Sequence, residues 1–264
     1  MVETSALGIE IESISHAFNG SVTALADFSL RIAPREFVSI VGPSGCGKTT
    51  VLNLVAGLLP IQTGKIRLGT APPQAGRHDV AYMLARDCLY PWLTARQNAE
   101  LGCRIRQMPP EESTRRAAEL IRSVGLEGFE SALPKELSHG MRQRTALART
   151  FALPSSILLM DEPFGALDAQ TKLVLGELLD RLWEREQRTV LFITHDLAEA
   201  IALSDRVVVM SRRPGRIMAD VAIDLPRPRS VRAMQKDPRF HEIYADVWSL
   251  LEQAMADDFD TGAA

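Results

Sequence analysis

The segment Gly42-Pro43-Ser44-Gly45-Cys46-Gly47-Lys48-Thr49 has the pattern G-x-x-x-x-G-K-T. Glycines at these spacings let the backbone curl so that successive N–H groups point inward, a cradle for phosphate oxygens. A helix that starts there adds the partial positive charge of its N-terminus. Lys48 would pair with the β- and γ-phosphates of a nucleotide, and the Thr49 hydroxyl would face Mg²⁺. The plainer alternative is an ordinary strand–turn–helix connection. The context favours phosphate: an apolar run, Phe37 to Val41, precedes the glycines, and a helical pattern, Lys48 to Ala56, follows them. The expected nucleotide-binding loop therefore runs from Gly42 through Thr50.

A second group stands further along. The apolar run Ile157 to Met160 ends in Asp161-Glu162-Pro163. Two carboxylates at the carboxyl end of a buried strand lie where ligands sit in a doubly wound sheet. Asp161 is suited to hold Mg²⁺. Glu162 is suited to take a proton from an attacking water, a role worth about 10²–10⁴ in rate. Taken alone they could be two solvated acids. Beside a phosphate loop they imply hydrolysis of a nucleoside triphosphate.

These groups need rigid supports. Strands are expected at Ile9 to Ser15, Phe28 to Ile32, Phe37 to Val41, Ile66 to Leu68 and Asp79 to Leu84. Roughly residues 94–152 read as helical, with helices at Glu111 to Val124 and Gly140 to Phe151. Then come a strand over Ile157 to Met160, an amphipathic helix over Thr171 to Glu186, a strand over Val190 to Thr194, a helix over Leu197 to Leu203 and a strand over Arg206 to Met210. Val221 to Ile223 closes the sheet. Strands alternating with helices predict an α/β core with a mainly parallel sheet. Pro226, Pro228 and their neighbouring arginines read as a linker. A final helix carries Phe240, Ile243, Tyr244, Val247, Leu250, Leu251 and Ala254 on one face. That face is expected to pack on the core, and the tail after Ala256 to fray.

Composition excludes several classes. The chain has 264 residues, 46% hydrophobic and 24% charged, with net charge −3. That is ordinary globular material without the basic excess of a nucleic-acid binder. No apolar run reaches the ~18 residues that a membrane span requires. Met1 to Gly8 lacks the basic and apolar stretches of a signal peptide. Cys46, Cys88 and Cys103 show no metal-ligand spacing and suit a reduced compartment.

Leu137-Ser138-His139-Gly140-Met141-Arg142-Gln143-Arg144 supplies the distinguishing signal. Ser138 could be a simple helix N-cap. In the order phosphate loop, this segment, acidic pair, the chain resembles the ABC (ATP-binding cassette) ATPase family, whose signature reads L-S-G-G-Q or L-S-G-G-M. The resemblance covers nearly the whole chain. It implies a P-loop NTPase fold of the ABC type: α/β, with a mainly parallel sheet, an N-terminal antiparallel β portion and an inserted helical subdomain. The implied division of this single nucleotide-binding domain is a RecA-like core over about 1–88 and 153–225, a helical subdomain over about 89–152, and a linker and amphipathic helix over about 226–257.

The resemblance also implies ATP and Mg²⁺ as cofactors and a head-to-tail dimer of ATPase subunits. Ser138, Gly140 and Met141 of one copy would then cap the ATP held by the phosphate loop of the other. Phe18 stands where the family stacks an aromatic ring on adenine, or else is a core residue. Asp168, in Ala166-Leu167-Asp168, matches a loop that crosses the dimer. His195 matches the histidine that reaches the γ-phosphate beside the catalytic Glu162 and Lys48.

Two positions depart from the family pattern. Ala85 stands where the family has a Gln, which implies weaker coupling between Mg²⁺ and the helical subdomain. His139 replaces the first signature glycine; it is either tolerated facing away from phosphate or adds a pH-dependent charge there. Cys46, inside the loop, is either a small buried side chain or a thiol activated at a helix N-terminus.

Leu89, Tyr90, Pro91, Trp92 and Leu93 form an apolar loop, read either as a docking patch or as subdomain core. Pro91-Trp92-Leu93-Thr94 and Ser211-Arg212-Arg213-Pro214-Gly215-Arg216-Ile217 look most like the nitrate/sulfonate/taurine importer ATPases. That likeness implies a peripheral protein on the cytoplasmic face of the membrane. It would dock to integral-membrane permease subunits near Ala85, Leu89, Tyr90, Pro91 and Trp92, and act indirectly with a periplasmic or extracellular solute-binding protein. No nucleic acid partner is expected. The competing readings are a soluble ABC ATPase and a regulatory nucleotide binder.

Overall fold

The computed structural model describes residues 6–165 and 167–256. Most of Met1 to Gly8, read as lacking the features of a signal peptide, falls outside them, and the acidic tail after Ala256 falls wholly outside. Strand β1 (Ile9–Phe18) pairs antiparallel with β2 (Val22–Ile32). The turn between them is Asn19-Gly20-Ser21, with Asn19 and Gly20 at φ of 50° and 68°. Both residues lie in the left-handed region that a tight hairpin of this twist requires, and Asn-Gly tolerates it best. This turn carries both strands further than the apolar pattern predicts and puts Phe18 at the hairpin tip.

Next come β3 (Phe37–Val41), helix α1 (Lys48–Val55), β4 (Thr63–Leu68) and β5 (Val80–Met83). β4 lines up on the far side of β1, giving a three-stranded antiparallel sheet in the order β2-β1-β4. Three helices lie between β5 and the next strand: α2 (Ala95–Ile105), α3 (Pro110–Ser123) and α4 (His139–Ala152). Thr94 and Gln97 form a reciprocal capping box at the start of α2. Pro110 with Glu111 and Glu112 opens α3 as the helix dipole favours. Ser138 caps α4.

The chain then alternates: β6 (Ile157–Asp161), α5 (Ala169–Glu186), β7 (Thr189–Ile193), α6 (Leu197–Leu203), β8 (Arg206–Met210) and β9 (Ile217–Ala222). The larger sheet has the order β5-β6-β7-β3-β8-β9. β5 through β8 are parallel, and β9 runs antiparallel at the edge. Every residue of β3, β6 and β7 is buried, as strands covered on both faces must be. One face meets α1 and the antiparallel sheet, and the other meets the helices α2–α6 and the C-terminal helix.

The segment expected as a linker is instead fixed in place. The Arg227 guanidinium lies 4.0 Å over the Trp183 ring and binds Asp180 and Asp205. Arg229 is buried and donates to the carbonyls of Ile201, Ser204, Ile223 and Leu225. A guanidinium offers five donors in one plane, so it can staple several carbonyls where a solvated charge was expected. Short helix α7 (Val231–Met234) follows, and then α8 (Pro238–Ala256). Phe240, Val247 and Ala254 of α8 are buried, with Ile243, Tyr244, Leu250 and Leu251 packed half-buried against the core. Among the described residues no helix is long and apolar enough to cross a membrane.

Candidate active site

The ends of three neighbouring strands carry the groups that the sequence singles out. β3 leads into Gly42–Thr50, β6 ends at Asp161-Glu162, and β7, lying between them, leads into Thr194-His195. These are carboxyl ends of parallel strands, the edge where an open α/β sheet binds ligands.

The loop from Gly42 to Thr50 wraps the N-terminus of α1. Gly47 has φ of 107° and sits at the helix N-cap. A Cβ there would come 2.8 Å from Leu25 Cδ2 and 2.9 Å from the Ala24 carbonyl oxygen. Only glycine satisfies both the dihedral and the close approach of β2. Gly45, at φ of 76°, turns the loop in open space. Pro43 and Ser44 lie between Gly42 and Gly45. Lys48 is buried, its Nζ donating to the carbonyls of Gly42 (2.8 Å) and Pro43 (2.9 Å). The ammonium is thus folded over the loop whose N–H groups it would assist. Thr50 is buried in the first turn of α1.

Cys46 is 1% exposed, 3.9 Å from Lys48 Nζ. Burial pushes its thiol above the usual range, and Lys48 only partly opposes that. The activated-thiol reading is therefore corrected: the side chain is buried and packs in the apolar core. The Cys46 carbonyl meets Gly215, in the β8–β9 loop, so closely that any side chain at 215 would overlap it. Gly215 also exchanges backbone hydrogen bonds with Ala24 and Ala26 of β2. The segment Ser211 to Ile217 thus braces the phosphate loop from behind.

Thr49 Oγ1 donates to Asp161 Oδ1 at 3.2 Å. Burial raises the Asp161 carboxyl, and the Thr49 hydroxyl bond pulls the other way. A hydroxyl and a desolvated carboxylate side by side offer hard oxygen ligands of the kind Mg²⁺ takes together with substrate phosphates. Among the described residues no cluster of His, Cys, Asp and Glu forms a dedicated metal cage. Two oxygen ligands on their own fit a cation whose remaining ligands come from a phosphate chain and water.

Glu162 has φ of 44°, an uncommon conformation for a non-glycine residue. It is held at both ends: its N–H donates to the Ile193 carbonyl at 2.9 Å, and its carbonyl accepts from Gly165 N–H at 3.1 Å. Its Oε2 lies 3.2 Å from His195 Nδ1, so the two side chains expected to face an attacking water already touch. Gly165 lies against this pair: a Cβ there would meet Glu162 Oε2 and His195 Cε1 at an ordinary contact distance of 3.5 Å. After His195, Asp196 caps α6 and pairs with Lys172 at 3.2 Å.

Ser138 Oγ accepts from Met141 N–H at 3.3 Å, so in the isolated subunit it is an N-cap. Ser138 and His139 are exposed, and Gly140 and Met141 half-buried. A Cβ on Gly140 would press to 3.0 Å from Thr171 Cγ2. Asp168 caps α5 through Thr171. Ala166 lies outside the described residues. Phe18 is 40% exposed, edge-on to the buried His16 ring at 4.8 Å, so it is a surface ring and not a core residue.

In the loop after β5, Tyr90, Pro91 and Trp92 are exposed, Trp92 by 70%. Leu89 packs half-buried on the core, and Ala85 is exposed. Buried Asn98 shapes this loop, accepting from Tyr90 N–H and donating to the carbonyls of Tyr90, Leu93 and Thr94. Arg142 of α4 binds Asp87 at 3.0 Å, and Arg149 donates to the carbonyls of Asp87 and Cys88. Gln143 of α4 is 2% exposed and donates to the Pro163 carbonyl. Sequence alone pointed to none of Asn98, Asp87, Arg142, Gln143, Arg149, Gly165 or Gly215 as site-shaping groups.

A mostly parallel sheet with a phosphate loop, a carboxylate pair and a histidine at one edge defines a P-loop nucleoside triphosphatase. The family model described as "ABC transporter" matches residues 25–165. The chain is 42% identical over 239 residues to the taurine import ATP-binding protein TauB of Rhizobium johnstonii, covering 89% of this chain and 91% of that one. It is 39% identical over 251 residues to the nitrate import ATP-binding protein NrtD of Synechocystis, covering 92% and 94%. Among solved structures, the dimeric post-hydrolysis state of the ATP-binding cassette MJ0796, bound to ADP and Pi, superposes with a TM-score of 0.72 at 29% identity. That match covers 83% of this chain and all of the other. This chain belongs to the ABC transporter family, as an ATP-hydrolysing cassette subunit of a transporter.

Proposed function

We propose that the chain is the ATPase of an importer for a small solute of the nitrate, sulfonate or taurine kind, acting through separate permease subunits. The observation that carries the reading is the convergence of Lys48, the Thr49–Asp161 pair and the Glu162–His195 pair at adjacent strand ends. The likeness to the taurine and nitrate import proteins supports the solute class.

In this reading the whole chain is one nucleotide-binding domain, with α2–α4 as its helical subdomain. Two copies meet head to tail. Phe18 stacks on adenine, and the backbone of Gly42–Thr50 holds the phosphates. Ser138, Gly140 and Met141 of the other copy close over the γ-phosphate, with Asp168 at the same interface. Thr49 and Asp161 would hold Mg²⁺, which would supply positive charge to the phosphate chain. Glu162 takes the proton of the attacking water, and His195 orients Glu162 and reaches the γ-phosphate. Lys48 and the loop N–H groups stabilise the charge that develops. The protein sits peripherally on the cytoplasmic face, with Trp92, Tyr90 and Pro91 beside Ala85 and Leu89 as the permease-docking surface. A periplasmic or extracellular solute-binding protein acts at the other end of the assembly.

Replacing Glu162 with Gln keeps shape and removes the base. Turnover should fall by about 10²–10⁴ while ATP accumulates in a dimer seen by size exclusion. Wild-type turnover in that variant would sink the assignment. Ala85, which offers no side-chain amide toward the site, favours a regulatory nucleotide binder as a second reading. Slow hydrolysis without a co-purifying membrane protein would select it.

A further inference from the structure

Adjacent residues of α4 reach in different directions. Arg142 clasps Asp87 in the loop after β5, and Gln143 reaches the turn that follows Glu162. Gln143 is 2% exposed, its Nε2 donates to the Pro163 carbonyl, and its Oε1 has no hydrogen-bond partner among the described residues. A buried amide left half satisfied costs free energy, so a site that keeps one needs a reason. The reason lies one residue away. Glu162 is held at φ of 44° by Ile193 on its N-terminal side and Gly165 on its C-terminal side. Proline offers no N–H at 163, so the 162–163 peptide cannot be tied down by its own donor. The Pro163 carbonyl is the next handle along the chain, and Gln143 holds it.

We propose that Gln143 is a positioning residue for Glu162: it fixes the turn after β6 to the signature helix, so that displacement of α4 is felt at the Glu162 carboxylate. The proposal rests on the assignment of Glu162 as the base. It gives α4 a route to the catalytic carboxylate that does not pass through position 85. Arg142, held by Asp87, places the docking loop on the same rigid helix.

Gln143→Leu and Gln143→Met both keep bulk and delete the donor, the Met chain being close to Gln in length. Both should lower kcat by about ten- to a hundredfold, the scale of a misplaced catalytic group. KM for ATP, and affinity for a fluorescent ATP analogue, should stay within about twofold, because Gln143 touches neither the loop nor the phosphates. In a Glu162→Gln background, adding Gln143→Leu should leave the residual single-turnover rate unchanged, since the group it positions is gone. Wild-type kcat in the Leu variant overturns the proposal. So does a joint loss of kcat, nucleotide affinity and melting temperature, which marks a merely structural role. If the Leu variant fails to fold, the Met variant carries the same reading. Wild-type turnover in Glu162→Gln alone would refute the base assignment instead, so the two failures are distinct.

Discussion

Gly215 lies in the β8–β9 loop, far in sequence from the phosphate loop, yet its backbone rests against the Cys46 carbonyl. An alanine methyl there would overlap that oxygen, come 2.6 Å from Met210 Cε and 3.3 Å from the Ala24 oxygen. The methionine end can rotate away. The Cys46 and Ala24 oxygens are backbone and cannot, and Gly215 is itself tied to β2 by Gly215 N–H to Ala24 O at 2.9 Å and Ala26 N–H to Gly215 O at 3.2 Å. Relief must come from moving the phosphate loop. Overpacking of this kind costs about 1–3 kcal/mol. If the strain falls on the loop, ATP affinity drops by about 5- to 150-fold, at 1.4 kcal/mol per factor of ten. Titration of Gly215→Ala with a fluorescent ATP analogue reads this directly. Gly176→Ala serves as the control: it sits on α5 with its Cβ at an acceptable 3.4 Å from Val231 Cγ2. That variant should bind ATP normally and gain up to about 1 kcal/mol of helix stability. Wild-type affinity in Gly215→Ala would show that the bracing contact does not shape the loop.

Three further outcomes follow from the site and its surroundings. N-ethylmaleimide should label exposed Cys88 quickly and spare buried Cys46 and Cys103 until the protein unfolds; equal rates at Cys46 and Cys88, by mass spectrometry, would contradict the buried-thiol assignment. The Arg77 hydrogen bond holds the Asp79 carboxyl below the usual carboxylate range, so its stabilisation is present above the unfolded-state value and is lost as pH falls through the folded one. Asp79→Asn should therefore cost about 1 kcal/mol at pH 7, with the difference narrowing in denaturation measured at acid pH; a constant difference would assign the cost to packing. Ala85→Gln should change the Mg²⁺ dependence of turnover by restoring the family's amide, and unchanged dependence and turnover would show that position 85 has no part in coupling.

What sequence could reveal here divides by range. The phosphate loop, the Asp161-Glu162 pair and the fully buried strands β3, β6 and β7 are legible because their chemistry and burial are written in consecutive residues. Helix α6 and strand β8 match expectation to the residue for the same reason. The Asn19-Gly20 turn was equally legible, being a strong local hairpin signal, but the apolar pattern alone ends β1 at Ser15 and so misses what carries Phe18 to a hairpin tip. The contacts of Gly215 with Cys46, Gln143 with Pro163 and Asp87 with Arg142 join distant positions, and no periodicity announces them. Pro226 to Arg229 misleads for a different reason. Proline and arginine together suggest a solvated linker, whereas here the guanidiniums are consumed by carbonyls and a tryptophan face.

Within one chain, several of the candidate site's side chains are engaged with neighbouring groups. Lys48 holds the carbonyls of its own loop, Thr49 holds Asp161, Glu162 holds His195, and Ser138 holds the Met141 N–H. A phosphate chain that recruits Lys48 must replace two carbonyl acceptors, and one that recruits Ser138 from another copy must compete with a helix cap worth about 1 kcal/mol. Binding at such a site is an exchange of partners, so its net gain is smaller than a count of new contacts suggests. Ala85 stands outside this arrangement, with no amide to exchange. The helix that carries Arg142, Gln143 and Arg149 touches both the loop after β5 and the turn beyond Glu162, which gives the proposed coupling a path that does not need position 85.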